Sequence, residues 1–142
     1  TLGREFSGIE LVEDRYGMDT VETAMQSAED VLTSHGELEG MFSCNESTAR
    51  GALRALESQG RAKAITLIGF DSSEPLLEVL RAGHIDSLVV QNPFRMGYDG
   101  VRTAIAALDG EEVPRRVDTG VTLVTRDNLQ TDEVRALLHP GE

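Results

Sequence analysis

The chain has 142 residues and a mass of 15.4 kDa, the size of one ordinary domain. Thirteen Lys and Arg against 25 Asp and Glu give a net charge of −12, which argues against a nucleic-acid partner; Arg115-Arg116 is the only basic doublet. The longest apolar run is far short of the roughly 20 residues of a membrane span, and the single cysteine excludes an intramolecular disulfide or a multi-cysteine zinc site.

A first strand is expected at Ile9-Glu-Leu-Val12. Apolar residues at helical spacing follow from Val21 to Leu32, with Ala24, Met25, Ala28 and Val31 on the same face. Gly40-Met-Phe-Ser-Cys44 reads as a second strand, and Ser47 to Gln59 as a helix stopped by Gly60. The run Ala64–Phe70 is nearly all apolar, as a strand buried on both faces would be. Ser73-Glu-Pro75 supplies a cap, an acid and a proline for a helix that ends near Gly83. Ser87–Gln91 is a strand, Pro93–Leu108 a helix, Thr119–Thr125 a last strand, and Asp132–Leu138 a short terminal helix. This alternation predicts an α/β fold: an open, mostly parallel sheet flanked by helices.

In such a sheet a ligand sits beyond the carboxyl ends of the strands. Three consecutive strands end there in Asn45, Asp71 and Gln91. A carboxylate accepts from two hydroxyls and an amide both donates and accepts, so the trio suits vicinal hydroxyls. Phe70 and Phe94 could supply apolar wall for the carbon face of a ring. The competing reading is local: Asn, Asp and Ser after a strand cap the next helix or close an Asx-turn, although Gln91 is a poor cap.

Enzymatic patterns are missing: there is no G-x-S-x-G, H-E-x-x-H or P-loop. His35, His84 and His139 fall at helix ends, where a cation is favourable. Cys44 reads as a small buried hydrophobe, and Glu46 as solvent-facing near a helix start. A receiver-type phosphoacceptor would need a lysine after its last strand, whereas the only lysine, Lys63, precedes one. No catalytic residue, metal site or cofactor is expected.

The stretches Gly40–Leu56, Ile68-Gly-Phe-Asp71, Leu80–Gly97 and Val117–Thr125, in this order and spacing, resemble the second half of the ribose-type periplasmic sugar-binding proteins. These belong to the type I periplasmic binding protein and lactose-repressor-like superfamily. The resemblance implies one Rossmann-like lobe of a two-lobed protein that closes on a sugar or polyol and delivers it to an ABC permease. It places Asn45, Asp71 and Gln91 where the second lobe hydrogen-bonds sugar hydroxyls, and Phe70 beside that Asp as an apolar neighbour. Where the family often carries a stacking aromatic, this chain has Asp19, either another acceptor or the cap of the helix from about Thr20.

The resemblance further implies that residues 1–91 form most of the C-terminal ligand-binding lobe. Residues 92–118 then cross the hinge and supply a helix that packs on an N-terminal lobe absent from this sequence, and residues 119–142 give the final strand and helix. A strand and helix that open the family's second lobe are also missing, so the lobe is expected to be incomplete. Phe94, Val101, Ile105 and Leu108 would then be left uncovered, and the chain is expected to form a homo-oligomer or a swapped dimer. The implied location is periplasmic or extracytoplasmic. Two alternatives stand beside the transport reading: the effector lobe of a lactose-repressor-like regulator, and a stand-alone α/β enzyme of unrecognised class.

Overall fold

The computed structural model describes residues 5–141. Four strands form one open sheet in the order β1-β2-β3-β4, namely Gly40–Phe42, Thr66–Phe70, Ser87–Gln91 and Val121–Thr125. The first three run parallel, with Phe42 opposite Ile68 and Phe70 opposite Val89. The last pairs antiparallel with β3, Leu88 facing Val124. Among the described residues five helices accompany them: α1 (Val21–Ser34), α2 (Glu46–Ser58), α3 (Glu74–Ala82), α4 (Pro93–Leu108) and α5 (Asp132–Leu138).

The pleat sorts the strand residues onto two unlike faces. Leu67 and Gly69 of β2, Leu88 and Val90 of β3 and Val124 of β4 are buried on one face. They form one core with Ala49, Leu53 and Leu56 of α2, Leu76 and Leu80 of α3, and Val134 of α5. Gly69 allows the closest approach there: a Cβ would lie 3.3 Å from the Ala49 methyl and 2.9 Å from Leu88 Cδ2. The other face is largely open. Phe42 is 59%, Leu123 54% and Val121 63% exposed, with Ile68, Phe70 and Val89 half-buried between them.

α1 packs chiefly against α2. At their crossing a Cβ on Gly51 would lie 2.6 Å from the Ala24 methyl and 2.7 Å from both Met25 N and Val21 O. Only hydrogen fits at that point, so the two backbones meet almost directly. α4 is the opposite case. It has none of its residues buried, and its apolar residues Phe94, Val101, Ile105 and Leu108 are all exposed.

The strand expected at Ile9–Val12 does not form. These residues have no ladder partner among the described residues, and Ile9, Leu11 and Val12 are exposed. A strand exists through its neighbours, and an apolar alternation without one stays irregular. The segment is tied down further along. Glu13 accepts from Arg15 and pairs with His35 Nε2 at 2.8 Å, while the carbonyls of Tyr16 and Gly17 accept from Ser27 and Thr23.

The bonds from Arg15 and then His35 hold the Glu13 carboxyl below the usual carboxylate range. A depressed carboxylate stabilises above its unfolded pKa and loses that contribution as pH falls through the folded one. A carboxyl-detected NMR titration should therefore give Glu13 a midpoint below the ordinary glutamate value of about 4.3. The tether to α1 should loosen as pH falls through that midpoint, and a midpoint at the ordinary value would contradict the tether.

Candidate functional site

The carboxyl ends of β1, β2 and β3 lie along one edge of the sheet. Asn45 begins α2 through a reciprocal capping box. Its Oδ1 accepts from Thr48 N at 2.9 Å while Thr48 Oγ1 accepts from Asn45 N at 3.2 Å. The local capping reading therefore holds for Asn45, but it uses only one end of the amide. Nδ2 donates to Asp19 Oδ1 at 3.1 Å, and its second proton has no acceptor among the described residues.

Asp19 does not cap α1; Thr20 does, accepting from Thr23 N. Met18 and Asp19 both have left-handed backbones, with φ of 53° and 56°. This turn sets Asp19 beside α2, where Ser47 Oγ also donates to its Oδ1 at 3.0 Å. Asp19 therefore belongs to the strand-end edge, although it lies 26 residues before Asn45.

Asp71 continues the ladder by one bond, its N–H reaching Val89 O at 3.0 Å, and then turns left-handed at φ 71°. Ser73 is the cap residue of α3 and Asn92 that of α4, so neither Asp71 nor Gln91 is spent on capping. Gln91 Nε2 instead donates to Asp71 Oδ1 at 3.3 Å. Ser73 makes no capping bond, and its Oγ is buried without a partner.

A cavity of about 290 Å³ opens at this edge, lined by Asp19, Asn45, Glu46, Ser47, Arg50 and Asp71, with Val21. Asn45 and Asp71 thus share one space, and Gln91 joins through Asp71. Phe70 is half-buried and outside that lining. Phe94 stacks on Tyr98, ring centroids 6.5 Å apart, on the exposed α4. Sequence reasoning missed Ser47 and Arg50 and sent Glu46 to solvent. All three lie on the first turns of α2, where the i, i+4 spacing of Glu46 and Arg50 brings them within 3.6 Å. Cys44 is exposed, not buried. Met41 and Ser43 share the covered face, so the pleat turns Cys44 to the open side.

A second cavity, of about 300 Å³, lies at the opposite end of the sheet between Lys63, Thr66, Gly83, Asp86 and Arg126. Size does not separate the two. The strand-end cavity is the better candidate because donors and acceptors from two successive βα connections and the turn before α1 line it, with Gln91 of a third connection bonded to Asp71, and open α/β sheets place ligand sites at this edge. Among the described residues there is no group of three His, Cys, Asp or Glu side chains able to hold a metal ion, and no helix long and apolar enough to cross a membrane.

A family profile described as "Periplasmic binding protein domain" matches residues 2–112. The ribose import binding protein of Escherichia coli K12 is 31% identical over 98 residues, which is 69% of this chain and 33% of that protein. A carbohydrate transporter solute-binding protein from Agrobacterium radiobacter, solved with D-arabinose, superposes with a TM-score of 0.86 at 36% identity, covering 97% of this chain and 47% of that one. An ABC transporter solute-binding protein from Agrobacterium vitis, solved with D-fucose, gives 0.81 at 36% identity over 90% and 44%. The chain therefore spans about a third of the curated relative and a little under half of each solved structure.

Proposed function

From the premise that the chain belongs to the periplasmic binding protein domain family, we propose that it is the second-lobe part of a solute-binding protein. Its ligand is a monosaccharide or similar polyol. The observation that carries this reading is the convergence of Asn45 and Asp71 on one cavity, with Gln91 bonded to Asp71. An acceptor-rich edge held by main-chain geometry suits hydroxyl groups, whose protons need directed acceptors. Phe70, next to Asp71, supplies apolar contact at the rim. The work of such a lobe is binding, not turnover.

In the full protein a second lobe closes on the sugar, and the closed form delivers it to an ABC permease from the periplasmic side of the membrane. Residues 92–118 form the crossing between lobes, with α4 as the helix that packs on the partner lobe. That no residue of α4 is buried, with Phe94, Val101, Ile105 and Leu108 exposed, supports this assignment. The relatives quoted above favour transport over the regulator alternative, since each is named for import or transport.

The test is calorimetry of the 142-residue chain against a panel of pentoses and hexoses. One lobe makes only part of the contacts, so millimolar affinity is expected, about −4 kcal/mol. Silence across the panel at saturating sugar would overturn the reading.

Self-association belongs to the same proposal. The open sheet face and the α4 stripe leave Phe42, Leu123, Val101 and Leu108 in water, and apolar patches of this kind are covered by association. A second copy of the chain is the occupant available in a pure sample. Multi-angle light scattering at tens of micromolar should give a mass above 15.4 kDa. A single monomer peak at every concentration would contradict it.

A further inference from the structure

Resting on the sugar-binding reading, we propose that the site selects a polyol bearing an ammonium group, with Asp19 as the specificity-determining residue. The cavity at the strand ends is lined by three carboxylates, Asp19, Glu46 and Asp71, and by one guanidinium, Arg50. Arg50 is paired with Glu46 at 3.6 Å. Asp19 and Asp71 have no cationic partner among the described residues.

Each of the two has one oxygen engaged and one free. Asp19 Oδ1 accepts from Asn45 and Ser47, and Asp71 Oδ1 from Gln91. The Oδ2 atoms accept no hydrogen bond among the described residues, and both residues line the same space. A neutral sugar can donate hydroxyls to them, but it leaves both charges uncompensated as water is excluded, and unpaired charge is what a closing site tolerates least. An ammonium donates three hydrogen bonds and cancels a charge at once. Asp19 is fixed for this by the left-handed turn at Met18-Asp19 and by α2, and is not consumed in capping α1.

The experiment is an amide NMR titration of the ¹⁵N-labelled chain at about pH 6, below the ordinary amine range. D-glucosamine, D-glucose and N-acetyl-D-glucosamine are compared, with the wild type and Asp19→Asn. Asparagine tolerates the left-handed backbone and keeps the Oδ1 acceptor, so the variant removes the charge and the Oδ2 acceptor together. Glucosamine should saturate Asp19, Asn45 and Asp71 at roughly fivefold lower concentration than glucose, the worth of one partly exposed ion pair. N-acetylation and Asp19→Asn should each abolish that advantage. Equal binding of glucose and glucosamine, or a preference that survives Asp19→Asn, would overturn the proposal and leave sugar binding standing. No response to any of the three would overturn both.

Discussion

Replacing Gly51 by alanine should destabilise the fold by roughly 2 kcal/mol, although the substitution improves helix propensity. Two effects oppose one another. Alanine in place of glycine inside a helix gains up to about 1 kcal/mol. The new methyl, however, would meet the Ala24 methyl at 2.6 Å and the backbone of Val21 and Met25 at 2.7 Å. Backbone atoms cannot rotate away, so α1 must lift from α2, and overpacking of this kind costs about 3 kcal/mol at the upper end of its usual range. α1 has little other anchorage than α2, so the cost falls on the whole helix. Gly97 in α4 is the control: a Cβ there meets nothing within 4 Å. Gly97→Ala should raise the melting temperature slightly, whereas Gly51→Ala should lower it by roughly 4–8 °C. Thermal denaturation of the two variants together decides it, and a rise for both would show that the α1–α2 seam is looser than described.

The second large effect concerns Asp71. Asp71→Ala removes a charged acceptor and also frees Gln91, whose amide donates to Asp71 Oδ1 at 3.3 Å. Hydrogen bonds to charged groups contribute about 1.5–3 kcal/mol each, so sugar affinity should fall by about 100-fold. Asp71→Asn is the gentler probe. Asparagine accepts the left-handed φ of 71° and keeps one acceptor for Gln91, so it removes the charge and the second acceptor oxygen while leaving that bond. A loss of roughly tenfold is expected for it. Calorimetry with the same sugar should rank wild type, Asn and Ala in that order. Equal affinity for all three would remove Asp71 from the site.

Much of this arrangement was legible in the residues. α4 over Pro93–Leu108, β3 over Ser87–Gln91 and α5 over Asp132–Leu138 follow from proline, asparagine and apolar spacing, and the structure has the same bounds. Capping chemistry is local, and so it could be read. What could not be read depended on neighbours far along the chain. Ile9–Val12 has the alternation of a strand but no ladder to join. Cys44 and Phe42 are apolar residues on the sheet face that stays open, and the alternation in β1 does not tell which face a helix will cover. Asp19 looked like a cap because it directly precedes Thr20. Its bonds to Asn45 and Ser47 arise from the packing of α1 on α2, which no short window contains.

The most direct measurement is amide chemical-shift mapping of the labelled chain with D-arabinose or D-ribose added to saturation. Perturbations should cluster at Asn45, Asp71 and Gln91 and spare the cavity at the other end of the sheet, around Lys63 and Arg126. Shifts centred on Lys63 and Arg126, with Asn45 and Asp71 silent, would contradict a polyol site at the carboxyl edge.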